Sequence, residues 1–265
     1  MERKPADHFL TLIVPAYKQE KTILRNIKQI LFVLDTIRYD YEVIVVVDGT
    51  VDRSFDILRK AKLPKTICMA YRQNQGKSYA IRLGMNEAKG DYVMFLDSGM
   101  EIDPNGISML LEHMQWYDAD IIVGSKRHAA SIVNYSNVRK LLSLGYYYIV
   151  KLLFGLKIRD TQAGIKVFKK KVLVKILPRL VEKKFAGDLE ILVSANILGF
   201  KRIYEAPIRL DYRVSPLTSA ATLKSIFGII VDTMAIYYRA YIKKHYNQPG
   251  TAFVYPKDLK IIKSS

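Results

Sequence analysis

The chain has 265 residues, half of them hydrophobic, with 42 Lys and Arg against 25 Asp and Glu and a formal net charge of +17. That length and apolar content can bury a full core, which excludes a disordered protein and suits one domain with an appendage. The single cysteine, Cys68, excludes an internal disulfide and, with no CxxC partner, a cysteine zinc site.

In chain order, "LTLIVPA" predicts a first strand ended by Pro15, presenting Tyr17 and Glu20 above a sheet edge. A tyrosine can stack on a base, and a carboxylate can accept hydrogen bonds from base or ribose. Ile23, Ile27, Ile30 and Leu34 then recur at helical spacing. "YEVIVVVD" predicts a second strand that delivers Asp48, and Gly49 lets the backbone turn sharply toward a ligand, with Thr50 or Asp52 capping the next helix. After the strand "TICMAY" comes "RQNQGKSYA", where Lys77 opens a helix near where a diphosphate would lie. Neither GxxxxGK[ST] nor GxGxxG occurs, so the usual ATPase and dinucleotide-binding fingerprints are absent. The helical pattern "KSYAIRLGMNEAKG" runs to a helix-stopping Gly90. "DYVMFLD" predicts a fourth strand with Asp97 at its tip, and two places on, where a second acid would serve a metal, stands Gly99. A fifth strand, "ADIIVG", leads to Ser125, Lys126 and Arg127. This alternation predicts a Rossmann-like, mostly parallel α/β sheet with helices on both sides and ligands at the carboxyl ends of the strands.

After residue 130 the pattern changes. "NVRKLLSLGYYYIVKLLFGLKI" and "TLKSIFGIIVDTMAIYYRAYIKK" are long apolar segments, interrupted by Lys151 and Asp232, with uninterrupted runs shorter than the roughly 20 residues a span needs. They read as amphipathic helices at a membrane interface, with ordinary buried helices as the alternative. Much of the basic charge also follows residue 126, in "GSKRH", "FKKKVLVK", "VEKKF" and "YIKKHY", beside leucine and tyrosine. That mixture suits an anionic membrane surface; a nucleic-acid module would need a recognised motif, and none is present. "FAGDLEILV" places Asp188 and Glu190 at a helix start. The four histidines have no metal-ligand spacing, and no Ser-His-Asp or Cys-His signature appears. The N-terminus "MERKPADHF" does not read as a secretory signal, so the expected location is the cytoplasmic face.

Taken in order, "VPAYKQE", "VVVDGTVDRS", "NQGKSYAIRLGMNEAKGDYVMFLDSG", "VGSKRH" and "DTQAGIKVF" resemble the family 2 glycosyltransferases of the GT-A fold, and within them the polyprenol-phosphate sugar synthases. The likeness covers about residues 10 to 213, which implies a catalytic domain over 1–215 and an amphipathic helical extension over 216–265. It implies a nucleotide-sugar donor held by Pro15, Tyr17, Glu20, Asp48 and Lys77, with Asp160 and Gln162 on the sugar side. Val47 stands where relatives often carry a second acid beside Asp48. It implies Mg²⁺ or Mn²⁺ on Asp97, with Glu101 as a further oxygen ligand in place of the acid lost at Gly99. A hard cation needs only one or two protein carboxylates when diphosphate and water complete its shell. The alternative is that Lys77, Lys126 or Arg127 neutralises the diphosphate without a metal. The implied acceptor is a polyprenyl phosphate, itself largely deprotonated, held by Lys126, Arg127, Lys166 and Arg213. "DTQAGIKVF" looks like the glucosyl branch, with UDP-glucose favoured over GDP-mannose. The implied reaction is an inverting hexosyl transfer, with Asp97, Lys126, Arg127 and Asp188 as its catalytic residues. An alcohol acceptor would instead require a general base, for which Asp188 or Glu190 is the natural choice.

Overall fold

Strand side chains alternate between the two faces of a sheet, so runs that are apolar at every position need cover on both sides. The structure, a computed structural model, describes residues 7–133, 137–210 and 223–263. Its elements are β1 (Leu10–Ala16), α1 (Ile23–Leu34), β2 (Tyr41–Asp48), α2 (Ser54–Ala61), β3 (Thr66–Tyr71), α3 (Lys77–Glu87), β4 (Tyr92–Leu96) and α4 (Gly106–Trp116). Then follow β5 (Ile121–Ser125), α5 (Asn137–Phe154), β6 (Ile165–Lys169), α6 (Lys170–Ile176), α7 (Gly187–Ile197), β7 (Ile203–Pro207), α8 (Leu223–Tyr237) and β8 (Lys260–Lys263).

The strands form one sheet in the order β7-β5-β6-β4-β1-β2-β3-β8. Parallel pairs join β1 to β2 and β4, β2 to β3, and β5 to β7. β6 runs antiparallel between β4 and β5, and β8 runs antiparallel along the outer edge of β3. The five strands expected from the sequence all form, in the GT-A arrangement of a mostly parallel sheet between helical layers. Leu12, Val14, Val43, Val45 and Met94 pack under α1, α2 and α4, while Ile13, Ile44, Val46, Val93 and Phe95 pack against α3, α6 and α7.

Two local expectations differ from the structure. Pro15 does not end β1; it is buried in register with Val46, and the strand runs on to Ala16. Gly90 does not end α3, which stops at Glu87. A Cβ at Gly90 would instead press on the backbone of Phe9, Thr11 and Tyr92, so the glycine is there for close approach to β1.

The boundary expected at 215 and 216 falls outside the described residues. The segment beyond it is built into the body: Ile236 and Tyr246 are fully buried, Phe253 packs on Tyr79, and β8 extends the sheet. α5 and α8 bury Val150, Phe154, Thr233 and Ile236 but leave Leu141, Tyr148, Leu152, Val231 and Met234 exposed. Among the described residues, no helix is long and apolar enough to cross a membrane.

Candidate active site

The carboxyl ends of β1, β2, β4 and β5 open on the same edge of the sheet, because β1 is parallel to β2 and β4, and β6 runs antiparallel to both β4 and β5. At β1 and β2 the two following loops are laced together. Glu20 accepts from the Arg53 amide at 3.2 Å, and its own amide donates to Asp52 at 3.1 Å. Glu20 and Asp52 line an open cleft of about 480 Å³ with Lys18, Gln19, Lys21, Thr22 and Val51. Tyr17 is 42% exposed beside it, with Lys18 over its ring. Pro15, buried within the strand, offers that cleft no side chain.

Asp48 is engaged inward. Its carboxylate accepts from Tyr71 Oη at 2.7 Å, Asn74 Nδ2 at 2.9 Å, the Gln75 amide at 2.7 Å and the Gly76 amide at 3.0 Å. At 3% exposure it organises the loop that leads into α3, and this places Lys77. The first amides of α3 are also taken: Ser78 and Tyr79 donate to the Lys183 carbonyl at 3.0 and 3.2 Å. With those amides spoken for, the positive group this helix start presents is the Lys77 side chain.

The Lys77 ammonium stands 2.8 Å from Asp97 Oδ1 and donates to Asp97 Oδ2 at 2.9 Å. It also lies 3.4 Å from Asp188 Oδ2, whose other oxygen accepts from Lys166 at 2.6 Å. Lys166, Asp188, Lys77 and Asp97 thus form a row of alternating charge from the middle of the sheet to its edge. Burial alone would raise the Asp188 carboxyl, but the charges of Lys166 and Lys77 hold it below the ordinary value. Lys77 is held above the ordinary lysine value: burial opposes its charge, and Asp188 and Asp97 outweigh that. Asp188 is a poor general base in this setting, being buried, ionised and held by two cations. Lys166 has no exposed surface, and its ammonium is spent on Asp188 and the Ala163 carbonyl.

Asp97 follows the last residue of β4 and donates its amide to the Gly164 carbonyl. A Cβ at Gly164 would overlap Asp97 Oδ2, so the glycine of "DTQAG" makes room for the carboxylate. Asp97 Oδ1 is buried and, although close to Lys77, makes no directed hydrogen bond. Gly99 has nothing within 4 Å of where a Cβ would stand, and Glu101 is exposed two residues farther on. Among the described residues no three His, Cys, Asp or Glu side chains gather as a metal cage. A hard cation that draws most of its shell from a bound diphosphate and water needs only one or two protein carboxylates, and Asp97 and Glu101 are the acids this strand end supplies.

At the end of β5, Asp160 accepts from the Lys126 amide at 2.9 Å and the Gln162 amide at 3.3 Å, with Lys126 Nζ at 3.8 Å. Arg127 reaches α5, donating to Ser143 Oγ at 2.9 Å with Tyr147 under its guanidinium. Gln162 donates to Tyr146 Oη at 3.5 Å, and that hydroxyl meets Thr233 Oγ1 of α8 at 3.1 Å. The structure thereby ties the "DTQAG" loop to both apolar helices. Tyr146, Ser143 and Thr233 carry no signal in the sequence, because their partners come from segments remote in the chain. Arg213 lies outside the described residues.

The family model described as Glycosyl transferase family 2 matches residues 11–177. A dolichyl-phosphate beta-glucosyltransferase of Drosophila melanogaster is 31% identical over 71% of this chain and 63% of its own length. The chain thus spans a little under two thirds of that relative. The glucosyl-3-phosphoglycerate synthase of Mycobacterium tuberculosis, solved with Mn²⁺, UDP and phosphoglyceric acid, superposes with a TM-score of 0.62 at 16% identity, covering 97% of this chain and 87% of that one. The mannosyl-3-phosphoglycerate synthase of Rubrobacter xylanophilus does so at 0.65 and 10% identity, covering 96% and 86%. With this fold, this order of strand-end motifs and a family match over more than half its length, the chain belongs to glycosyl transferase family 2.

Proposed function

We propose that the chain transfers glucose, with inversion, from UDP-glucose to a dolichyl or other polyprenyl phosphate at the cytoplasmic face of a membrane. The observation that carries this reading is the joining of a diphosphate-type site to apolar helices. The Lys77–Asp97 pair stands at the sheet edge, while Arg127 and Gln162 are bonded to α5, which exposes leucine and tyrosine. The Drosophila relative's name supports both the sugar and the acceptor.

In the reaction an acceptor phosphate oxygen attacks the anomeric carbon, and the bond from that carbon to the donor's diphosphate oxygen breaks. No general base is required, because such a phosphate has its second ionisation near ~6. This agrees with Asp188 being locked between two lysines. Asp97 and Glu101 would hold Mg²⁺ or Mn²⁺, which when bound neutralises the leaving diphosphate. Lys77 adds its own positive charge at the same edge. Lys126 and Arg127 would hold the acceptor phosphate in line, and Glu20 and Tyr17, at the cleft beyond β1, would meet base and ribose. Asp160 and Gln162 would face the sugar hydroxyls.

The test supplies UDP-[¹⁴C]glucose and dolichyl phosphate in detergent and counts label in the organic phase. Mild-acid-labile glucolipid is expected. Label passing only to a water-soluble alcohol contradicts the acceptor.

A further inference from the structure

Lys166 lies mid-sheet on β6, in register with Phe95 of β4 and Val123 of β5. Its ammonium donates to the Ala163 carbonyl at 2.8 Å and to Asp188 Oδ1 at 2.6 Å, and it stands 5.0 Å from the Phe95 ring centroid. Lys77 stands 5.7 Å from the same centroid. Two ammonium groups therefore share one aromatic floor and one carboxylate. The sharing is unequal, for Asp188 lies 2.6 Å from Lys166 but 3.4 Å from Lys77. Lys77 lies closer to Asp97, at 2.8 Å.

Stability alone does not account for this pair, since a buried ion pair is often no better than apolar residues of the same volume. Its geometry has a directional effect. A buried carboxylate with a single cation attracts that cation strongly, because little water screens it. Asp188 without Lys166 would draw Lys77 inward and away from Asp97.

We propose that Lys166 is a positioning residue: by engaging Asp188 it leaves the Lys77 ammonium directed at the sheet edge, where donor diphosphate oxygens are met. The role in donor binding rests on the function proposed above; the geometric role does not.

The test compares wild-type protein, Lys166→Met and Lys166→Met/Asp188→Asn, using ligand-free crystal structures and calorimetric titrations of UDP and uridine. In Lys166→Met, Lys77 Nζ should lie nearer Asp188 than Asp97. UDP should bind about tenfold more weakly, as loss of one charge-assisted contact implies, with uridine unchanged. Adding Asp188→Asn removes the inward pull and should restore most of the UDP affinity. A merely structural role would weaken UDP and uridine together and would not be rescued by a second substitution. An unmoved Lys77 in Lys166→Met, or parallel loss of both ligands, overturns the proposal. If the single variant does not fold, the double variant, which leaves Asp188 no buried charge, carries the test: Lys77 kept on Asp97 with UDP affinity retained supports the proposal, and loss of either overturns it. Wild-type protein that binds no UDP would remove the donor reading and leave the ligand-free geometry to decide the tether.

Discussion

At Gly164 one absent methyl group decides where Asp97 can stand, since a Cβ would occupy the carboxylate's place. Gly164→Ala should move Asp97 by about 1 Å, a displacement that typically costs about 100-fold in rate, while the circular dichroism spectrum stays unchanged. Steady-state kinetics with UDP-glucose checks this, and wild-type turnover would contradict it. Asp188 makes a different prediction. Its folded pKa is depressed below the ordinary 3.8, so its contribution to stability is complete above that value and is lost as pH falls through the folded one. Wild-type stability in urea should therefore drop below about pH 4, and Lys166→Leu/Asp188→Leu should flatten that drop at little cost near neutrality. The strand-end acids were legible in the sequence as positions, because an acid closing an apolar run is a strong local pattern. Their partners were not legible: Asp48 turns inward to Tyr71 at the end of β3 and to three donors of the β3–α3 loop, a fact set by loop closure and not by spacing.

Among the elements, the parallel core strands could be read directly, since continuous Val and Ile runs need cover on both faces. β6 was read only as a motif loop, because its apolar residues run into "KKKVLVK" and it pairs antiparallel within a mostly parallel sheet. β8 was hidden for a similar reason, being four residues, "KIIK", whose strand character depends on the free edge of β3. α5 and α8 bury Val150, Phe154, Thr233 and Ile236 and leave Leu141, Tyr148, Leu152, Val231 and Met234 exposed, a division that sequence spacing alone did not place. What holds the C-terminal segment is specific. Tyr246 Oη donates to Glu190 at 2.7 Å, Arg239 pairs with Glu182, and Glu190 also accepts from the amides of Val181 and Glu182. Tyr246→Phe removes one donor from a buried carboxylate and should cost about 1–3 kcal/mol in denaturant unfolding. An unchanged midpoint would mean that the segment docks by apolar contact alone.

For the whole molecule, a net charge of +17 and two helices with exposed apolar faces lead to a prediction about surfaces. Two weak anchors act together on an anionic bilayer, and the electrostatic part is screened by salt. Vesicles of phosphatidylserine and phosphatidylcholine should sediment the protein at low ionic strength, less so at high, and Leu141→Glu/Leu152→Glu should reduce binding further. Equal retention of both proteins on vesicles would place the contact elsewhere.

The central claim is that the edge of this sheet, through Lys77 and Asp97, grips the diphosphate of a nucleotide-sugar. Calorimetric titration of UDP-glucose and GDP-mannose, each with and without Mn²⁺ and repeated on Asp97→Asn, tests it most directly. The account predicts saturable UDP-glucose binding that Mn²⁺ strengthens and that Asp97→Asn weakens. Wild-type protein that releases no heat with either donor, in the presence or absence of the metal, would contradict it.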